Sequence, residues 1–532
     1  MGHLYHFHVR PLIGYMRKPS DITWRFIRSL SSGEKLFFKR NFAANAGDKI
    51  YLRLFTAIAA QKEYDEAAIL RKFSPALTKK NIAFQKHYLH KQITEAVLLY
   101  SRSQNQQPDI YTDIQLIRLY RNKGLVDEAN IIWKKAVLKA RKTESYAMLN
   151  LLKTEFEKMI MFSNMHTGYD DQHSVFKDNL IPYSDYAEMI TLRDIYTETL
   201  LLKRKAHYDI SEELRVSIHE HLKEVNKCTP YTESHSFWYG HYYRMNKATL
   251  LYLQNEISTS MELLNAVFTD WKKNDHFIRT HGEYYIELLY MINYAGILNG
   301  DFNYVSDVFH DPINENISDP VQRANFEVIK FLALNKIYNK TARYTDVSKL
   351  ISFMKTSYRQ WEPVVNADLN RTVNLSLGIA CFVLGQYDDA LNFTKRAITW
   401  FREGTREEHT SVAQILLLLI AYNMNKSRLF DNQYRSTYQY FYKRKNRHAF
   451  ETALVQCLHR TFYMTDNKKK IEEYKKALKV FEQNEKDVVQ QMSVSIFNYP
   501  GWLMSRVERI PYRSFVERKV KVSSLQPAQI ST

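Results

Sequence analysis

Glycine and proline are scarce in this 532-residue sequence, at 14 and 12 residues, against the ~7% and ~5% of ordinary usage. A β-sandwich or an α/β enzyme of this length turns often and draws on both residues to do so. A chain that passes from helix to helix does not. Cysteine is scarcer still. Cys228, Cys381 and Cys457 are far apart, odd in number and form no C-x-x-C pair, which argues against a disulfide framework or a structural zinc site and fits a reducing compartment. Long apolar runs are missing as well. The longest, residues 415–422, has eight residues, far short of the ~20 that span a membrane. The opening MGHLYHFH has neither the charged start nor the apolar stretch of a signal peptide, so the expected location is cytoplasmic.

Core-forming material is plentiful, with 45% apolar and 14% aromatic residues, and this excludes a disordered chain. The length exceeds one ordinary compact core, a limit that stacked repeats escape because each unit packs only on its neighbours. Helical periodicity runs nearly throughout, with no convincing period-two strand. The polar run SRSQNQQP at 101–108, the irregular stretch 163–183, Thr229-Pro230 within 226–236, and the Pro- and Asn-rich 309–320 read as breaks. The pattern weakens after Tyr499-Pro500-Gly501.

The net charge of +18 is concentrated. Residues 10–40, 425–447 and 505–521 carry net charges of +6, +6 and +4, and the rest of the chain is nearly neutral. Such windows attract acidic proteins, nucleic acid or anionic surfaces.

Repeats are the most informative signal. Residues 377–398, LGIACFVLGQYDDALNFTKRAI, place Leu377 and Gly378 in a first helix, Gly385 at its end, Tyr387 at the next start, and Ala390 and Ala397 inside the second helix. The expectation is that Gly378 and Ala390 face each other at the helix crossing. Gly385 would supply the left-handed turn, and Tyr387, Leu391, Ile398 and Phe401 would bury an apolar stripe. Residues 116–136 repeat the pattern with Gly124, Ala129, Trp133 and Ala136. Weaker echoes fall at 61–67, 248–267 and 292–309. These segments resemble tetratricopeptide repeats, with Asn374 and Thr394 departing from the usual aromatic and bulky positions. From Gly124 to Gly385 is 261 residues, not a multiple of the ~34-residue period, so the repeats between them must be irregular.

The opening segments FIRSLSSGEKLFF, YLRLFTAIAAQKEYDEAAILRKF and FQKHYLHKQI resemble the start of an uncharacterised Bacteroidota family of tetratricopeptide-like helical-repeat proteins. That resemblance implies fold and location and carries no activity.

Chemical constellations are weak. His3, His6 and His8, His87 and His90, and His219 and His221 lack the H-E-x-x-H spacing of a helical zinc site. Adjacent acids such as Asp388-Asp389 suit the start of a helix, where negative charge meets the dipole. There is no phosphate-binding glycine loop and no G-x-S-x-G. Cys228 has His235 near it only in sequence. The expectation is therefore no enzyme, no catalytic residues, no cofactor and no metal.

The reading is an all-α fold, an α-solenoid of irregular tetratricopeptide-like helix-turn-helix repeats. Its divisions are 1–15 as a possible disordered extension, 16–100 as an N-terminal helical block, 101–498 as the solenoid, and 499–532 as a basic, partly disordered tail. The expected function is a protein-interaction scaffold holding an unidentified protein or peptide in a concave groove, as tetratricopeptide resemblance implies, with Asp113, Arg118, Arg121, Asn374, Cys381 and Phe382 facing the groove. The alternative is RNA or DNA binding by the basic windows. In the second of these, Phe430, Tyr434, Tyr438 and Phe441 share one helical face and read as a core stripe, with Arg435, Lys443, Arg444, Lys445 and Arg447 available to phosphates.

Overall fold

The computed structural model describes residues 21–43, 50–61, 63–104, 110–123, 125–161, 183–206, 211–362, 364–399, 407–443, 448–485 and 487–525. Among them the regular elements are helices, with no strand. The chain divides into two compact units, Met1–Thr167 and Gly168–Thr532.

In the first unit, helices Ile22–Ser29, Ser32–Ala43, Ile50–Ala59, Glu66–Phe73 and Ile82–Gln104 close around Ile27, Phe38, Leu54, Phe55, Leu89 and Ile93. The S-x-x-E in the opening motif is a capping box. Ser31 N–H donates to Glu34 Oε2 at 2.7 Å and Glu34 N–H to Ser31 Oγ at 3.2 Å, satisfying donors that the first helical turn leaves free. Helices Ile110–Asn122, Val126–Lys142 and Tyr146–Met161 follow. Here Ala129, Trp133 and Ala136 are wholly buried, and Trp133 donates to the Leu152 carbonyl at 2.9 Å while stacking on Phe156. Gly124 lies outside the described residues.

The second unit stacks seven consecutive helix pairs among its described residues. They are Tyr183–Ala206 with Glu212–Lys227, Phe237–Leu253 with Ile257–Lys273, Gly282–Asn299 with Phe302–His310, Pro320–Lys340 with Tyr344–Trp361, Ala367–Val383 with Tyr387–Thr399, Glu407–Met424 with Ser427–Lys443, and Ala449–Phe462 with Asn467–Gln483. Each first helix packs on its own second helix, on the preceding second helix and on the next first helix. This is the nearest-neighbour scheme of a solenoid. The breaks at 226–236 and 309–320 hold: Ser236 caps the helix after the first, and Asp319 caps the helix after the second, with Pro320 in its first turn.

One turn geometry recurs inside the pairs. Asn255, Gly300, Ala342, Gly385 and Asn425 all have left-handed backbone, with φ of 68°, 85°, 54°, 75° and 53°. After the first four, the next N–H donates to the carbonyl five residues back: Glu256 to Leu251, Asp301 to Gly296, Arg343 to Tyr338 and Gln386 to Cys381, at 2.8–2.9 Å. This bonding ends a helix by satisfying its orphan carbonyls. The residue five beyond each turn residue is fully or almost fully buried: Ser260, Val305, Val347, Ala390 and Phe430. Five of the seven pairs thus share one register at a spacing of 40 to 45 residues, which is why a search at ~34 finds it interrupted.

Gly385 makes the expected left-handed turn, and Leu377, Ala390 and Ala397 are buried as expected. Tyr387, Leu391 and Ile398 pack partly buried against the core, and Phe401 lies outside the described residues. At Gly378 the atoms nearest the position of a Cβ belong to Thr394. The glycine's missing Cβ makes room for Thr394, whose hydroxyl would otherwise be overlapped and which turns back to donate to the Ala390 carbonyl at 2.7 Å. The departure at Thr394 and the glycine at 378 are two halves of one close approach.

The segment expected as a tail is helical over its described part. Helices Tyr499–Val507 and Tyr512–Leu525 follow Val488–Ile496, and Tyr499, Trp502 and Leu503 have no exposed surface. Pro500 falls in the first turn of its helix, where a missing N–H costs nothing, and Asn498 caps Gly501 N–H at 2.8 Å. Residues 1–20 and 526–532 lie outside the described residues.

A buried aromatic cluster joins the first three pairs. His241 is enclosed by Trp238, Tyr242, Trp271 and Tyr284 and accepts from Trp271 Nε1 at 3.3 Å. Burial, with neighbouring His281, lowers its pKa to about 3.

Two outcomes follow for stability. Ala342→Gly should raise stability by about 1 kcal/mol and Gly385→Ala lower it by about 1 kcal/mol, because only the first relieves a left-handed alanine; chemical-denaturation midpoints read both. For His241, the unfolded chain takes up a proton near pH 6.5 and the folded chain does not until about pH 3. Stability should therefore fall as pH drops through that window, by up to about 1.4 kcal/mol per pH unit. His241→Asn should flatten the slope between pH 6.5 and 5 in thermal melts.

Candidate functional site

The last described helices fold back over the ends of the preceding pairs and border a half-open cavity of about 750 Å³. Its walls come from the turn at 382–387, the end of Glu407–Met424, the start of Asn467–Gln483 and the segment 502–513. Aromatic packing fixes the frame. Trp502 meets the edges of Tyr422 and Tyr474, with centroids 5.8 and 6.4 Å away, and the two tyrosine hydroxyls are 2.6 Å apart. Phe382 touches Tyr387, Phe497 and Tyr512. Burial pushes the Tyr474 and Tyr512 phenols far up, so both stay neutral.

Four cations, Lys470, Arg506, Arg509 and Arg513, line this cavity, and its lining contains no carboxylate. Arg506 stacks over Trp502 and donates to Asn423 Oδ1. Arg513 lies 5.0 Å over Tyr344 and donates to Glu517 at 2.9 Å. Arg509 occupies a left-handed turn, with φ of 56°, closed by Ile510 N–H on the Ser505 carbonyl. What the arrangement can do chemically is hold an anion against an aromatic floor.

Of the residues expected in the groove, Phe382 lines this cavity. Asn374 and Cys381 have no exposed surface. Asn374 is spent on Asn370 and Tyr358, and burial pushes the Cys381 thiol up to about 12. Neither can look into an open groove, because the first helix of this pair is covered on both sides. In the first unit, Asp113 accepts from Lys139 at 2.6 Å, while Arg118 and Arg121 clamp the wholly buried Glu155 at 2.8 and 2.5 Å. Burial would raise Glu155, and the two guanidiniums overcome it and hold the carboxyl below its usual range. These three residues tie helices together.

Arg435 and Lys443 are exposed on helix Ser427–Lys443, whereas Arg444, Lys445 and Arg447 lie outside the described residues. The expected core stripe there is split. Phe430 and Phe441 are buried, but Tyr438 and Tyr442 are exposed and continue a ladder from Tyr434, which stacks on His459 at 4.0 Å.

Cys228 is not poised by His235. Its thiol reaches the Glu224 carbonyl, burial raises its pKa, and His235 binds Thr232. His221 pairs with Glu198 at 2.7 Å, and His3, His6 and His8 lie outside the described residues. Among the described residues no three His, Cys, Asp or Glu side chains group as a metal would need, and no helix is long and apolar enough to cross a membrane.

Sequence reading missed Lys470 and Trp502 as lining residues. The basic window 505–521 was a signal for Arg506, Arg509 and Arg513, whereas Lys470 sits among mixed charges and reads as a solvated face.

No protein-family model matches the chain, and no curated protein matches it in sequence. Solved structures do. The apo form of the quorum sensor NprR from B. thuringiensis aligns at 13% identity over 72% of this chain and 98% of that one, with a TM-score of 0.41. The apo form of RapI aligns at 13% identity over 79% and 99%, with a TM-score of 0.41. A Rap protein complexed with Competence and Sporulation Factor aligns at 12% identity over 77% and 98%, with a TM-score of 0.39. The likeness is one of helical architecture.

Proposed function

We propose that this chain is a helical-repeat scaffold that binds a partner protein or peptide and performs no catalysis of its own. The observation that carries the reading is the cavity of about 750 Å³ with four cationic and no acidic lining side chains, built where three helix pairs meet the fold-back helices. Stacked pairs support it further, since each packs only on its neighbours and leaves a long surface for recognition. Free, buried cysteines suit a reducing compartment, and a cytoplasmic location belongs to this proposal.

A second reading, single-stranded nucleic-acid binding, is favoured by the exposed Tyr438–Tyr442 stack beside Arg435 and Lys443, since aromatic faces beside cations hold bases and phosphates.

Affinity capture of the tagged chain from its native lysate, with and without nuclease, separates the two. The scaffold reading expects a discrete protein partner that survives nuclease. Recovery confined to nuclease-sensitive nucleoprotein, lost with Tyr438→Ala and Tyr442→Ala, overturns it.

A further inference from the structure

The side chains of Lys470 and Arg509 form no ion pair or hydrogen bond among the described residues. Elsewhere in the same unit, several cations on the second helices of pairs are matched: Lys272 to Asp311, Lys355 to Asp389 and Arg396 to Glu362, at 2.6–2.8 Å. Converging cations without counter-charges create a local potential that selects an anion.

We propose that this cavity recognises an acidic peptide segment bearing a bulky apolar side chain, an inference that rests on the scaffold reading above. Tyr387 and Tyr512, partly exposed in the floor, suit the apolar anchor. The cations suit the carboxylates, and Asn467 at the rim offers paired donor and acceptor groups that match a peptide amide. The volume lies within the ~300–1,000 Å³ of sites that engulf a compact ligand.

A phosphate ligand is less well served. The helix N-terminus in this wall, at Asn467, already has its cap, because Asp466 accepts from Lys468 and Lys469 N–H at 2.8 and 3.3 Å. The backbone donors that would cradle a phosphate at such an end are therefore occupied by a carboxylate. Arg509 adds a further indication. It holds the left-handed turn position that Gly300, Gly385, Asn255 and Asn425 hold in the pairs. An arginine there accepts backbone strain and in return places its side chain in the cavity wall.

The test is fluorescence anisotropy on the full chain with a labelled Glu-Phe-Glu-Phe-Glu peptide, its Gln-Phe-Gln-Phe-Gln counterpart, and ATP and inorganic phosphate as competitors. The expected result is saturable binding of the acidic peptide, at least tenfold weaker for the glutamine version, and weakened by salt. Lys470→Gln with Arg509→Asn should weaken it at least tenfold with an unchanged thermal midpoint. Both positions border solvent, and asparagine suits the left-handed turn. Equal binding of the two peptides, indifference to the double variant, or displacement of the peptide by micromolar ATP or phosphate each overturns the assignment. If the acidic peptide fails while a nuclease-resistant lysate partner is captured equally by wild type and double variant, the scaffold stands and the cavity assignment falls. If both peptide and protein capture fail, both readings fall.

Discussion

The left-handed residue between the two helices of a pair is the constraint on which the second unit depends. It reverses the chain in the fewest residues, hands the orphan carbonyls of the first helix to the N–H groups of the turn, and sets the second helix at a fixed angle and register. Once that is done, the residue five positions on must face the partner helix, and its size decides how closely the axes approach. Ala390 and Ser260 permit close approach, while Phe430 fills a wider gap. Because each pair rests on the one before, a stack follows from repetition of this local event, with no long-range pairing needed to specify it.

The same event explains what could be read in advance. Two pairs were legible at 116–136 and 377–398 because glycine and alanine occupy both sensitive positions there. Other pairs solve the same geometry with Asn255, Ala342 and Asn425 in the turn and with Val347 or Phe430 against the partner helix. Asparagine tolerates left-handed backbone, and an alanine held there is paid for by packing, so neither announces the turn as glycine does. The weaker echoes at 248–267 and 292–309 do coincide with real pairs, which shows that rhythm outlasts composition. Pro500 misled for the opposite reason: a residue that breaks helices in their middle starts one here.

The candidate site was legible in its charge and not in its shape. The window 505–521 was visibly basic, but that three of its arginines would meet Lys470 over an aromatic floor depends on a fold-back of the last helices, and no periodicity encodes that. Groove assignments by analogy to a repeat motif fared differently because this chain spends those positions on itself. Arg118 and Arg121 neutralise the buried Glu155, and Asn374 completes the Asn370–Tyr358 network. A buried carboxylate must find cations nearby or be expelled, and that demand takes precedence over display to a partner.

The fold-back has a consequence for when the molecule becomes competent. The stack can assemble progressively as the chain leaves the ribosome, since every pair needs only its predecessor. The cavity cannot. Arg513 reaches back to Tyr344, across some 170 residues of sequence, and the walls from Phe382 to Tyr474 stay open until the segment 502–513 is out of the exit tunnel. The cleft is therefore absent from any chain that stops short of residue 513, although such a chain already has most of its helices.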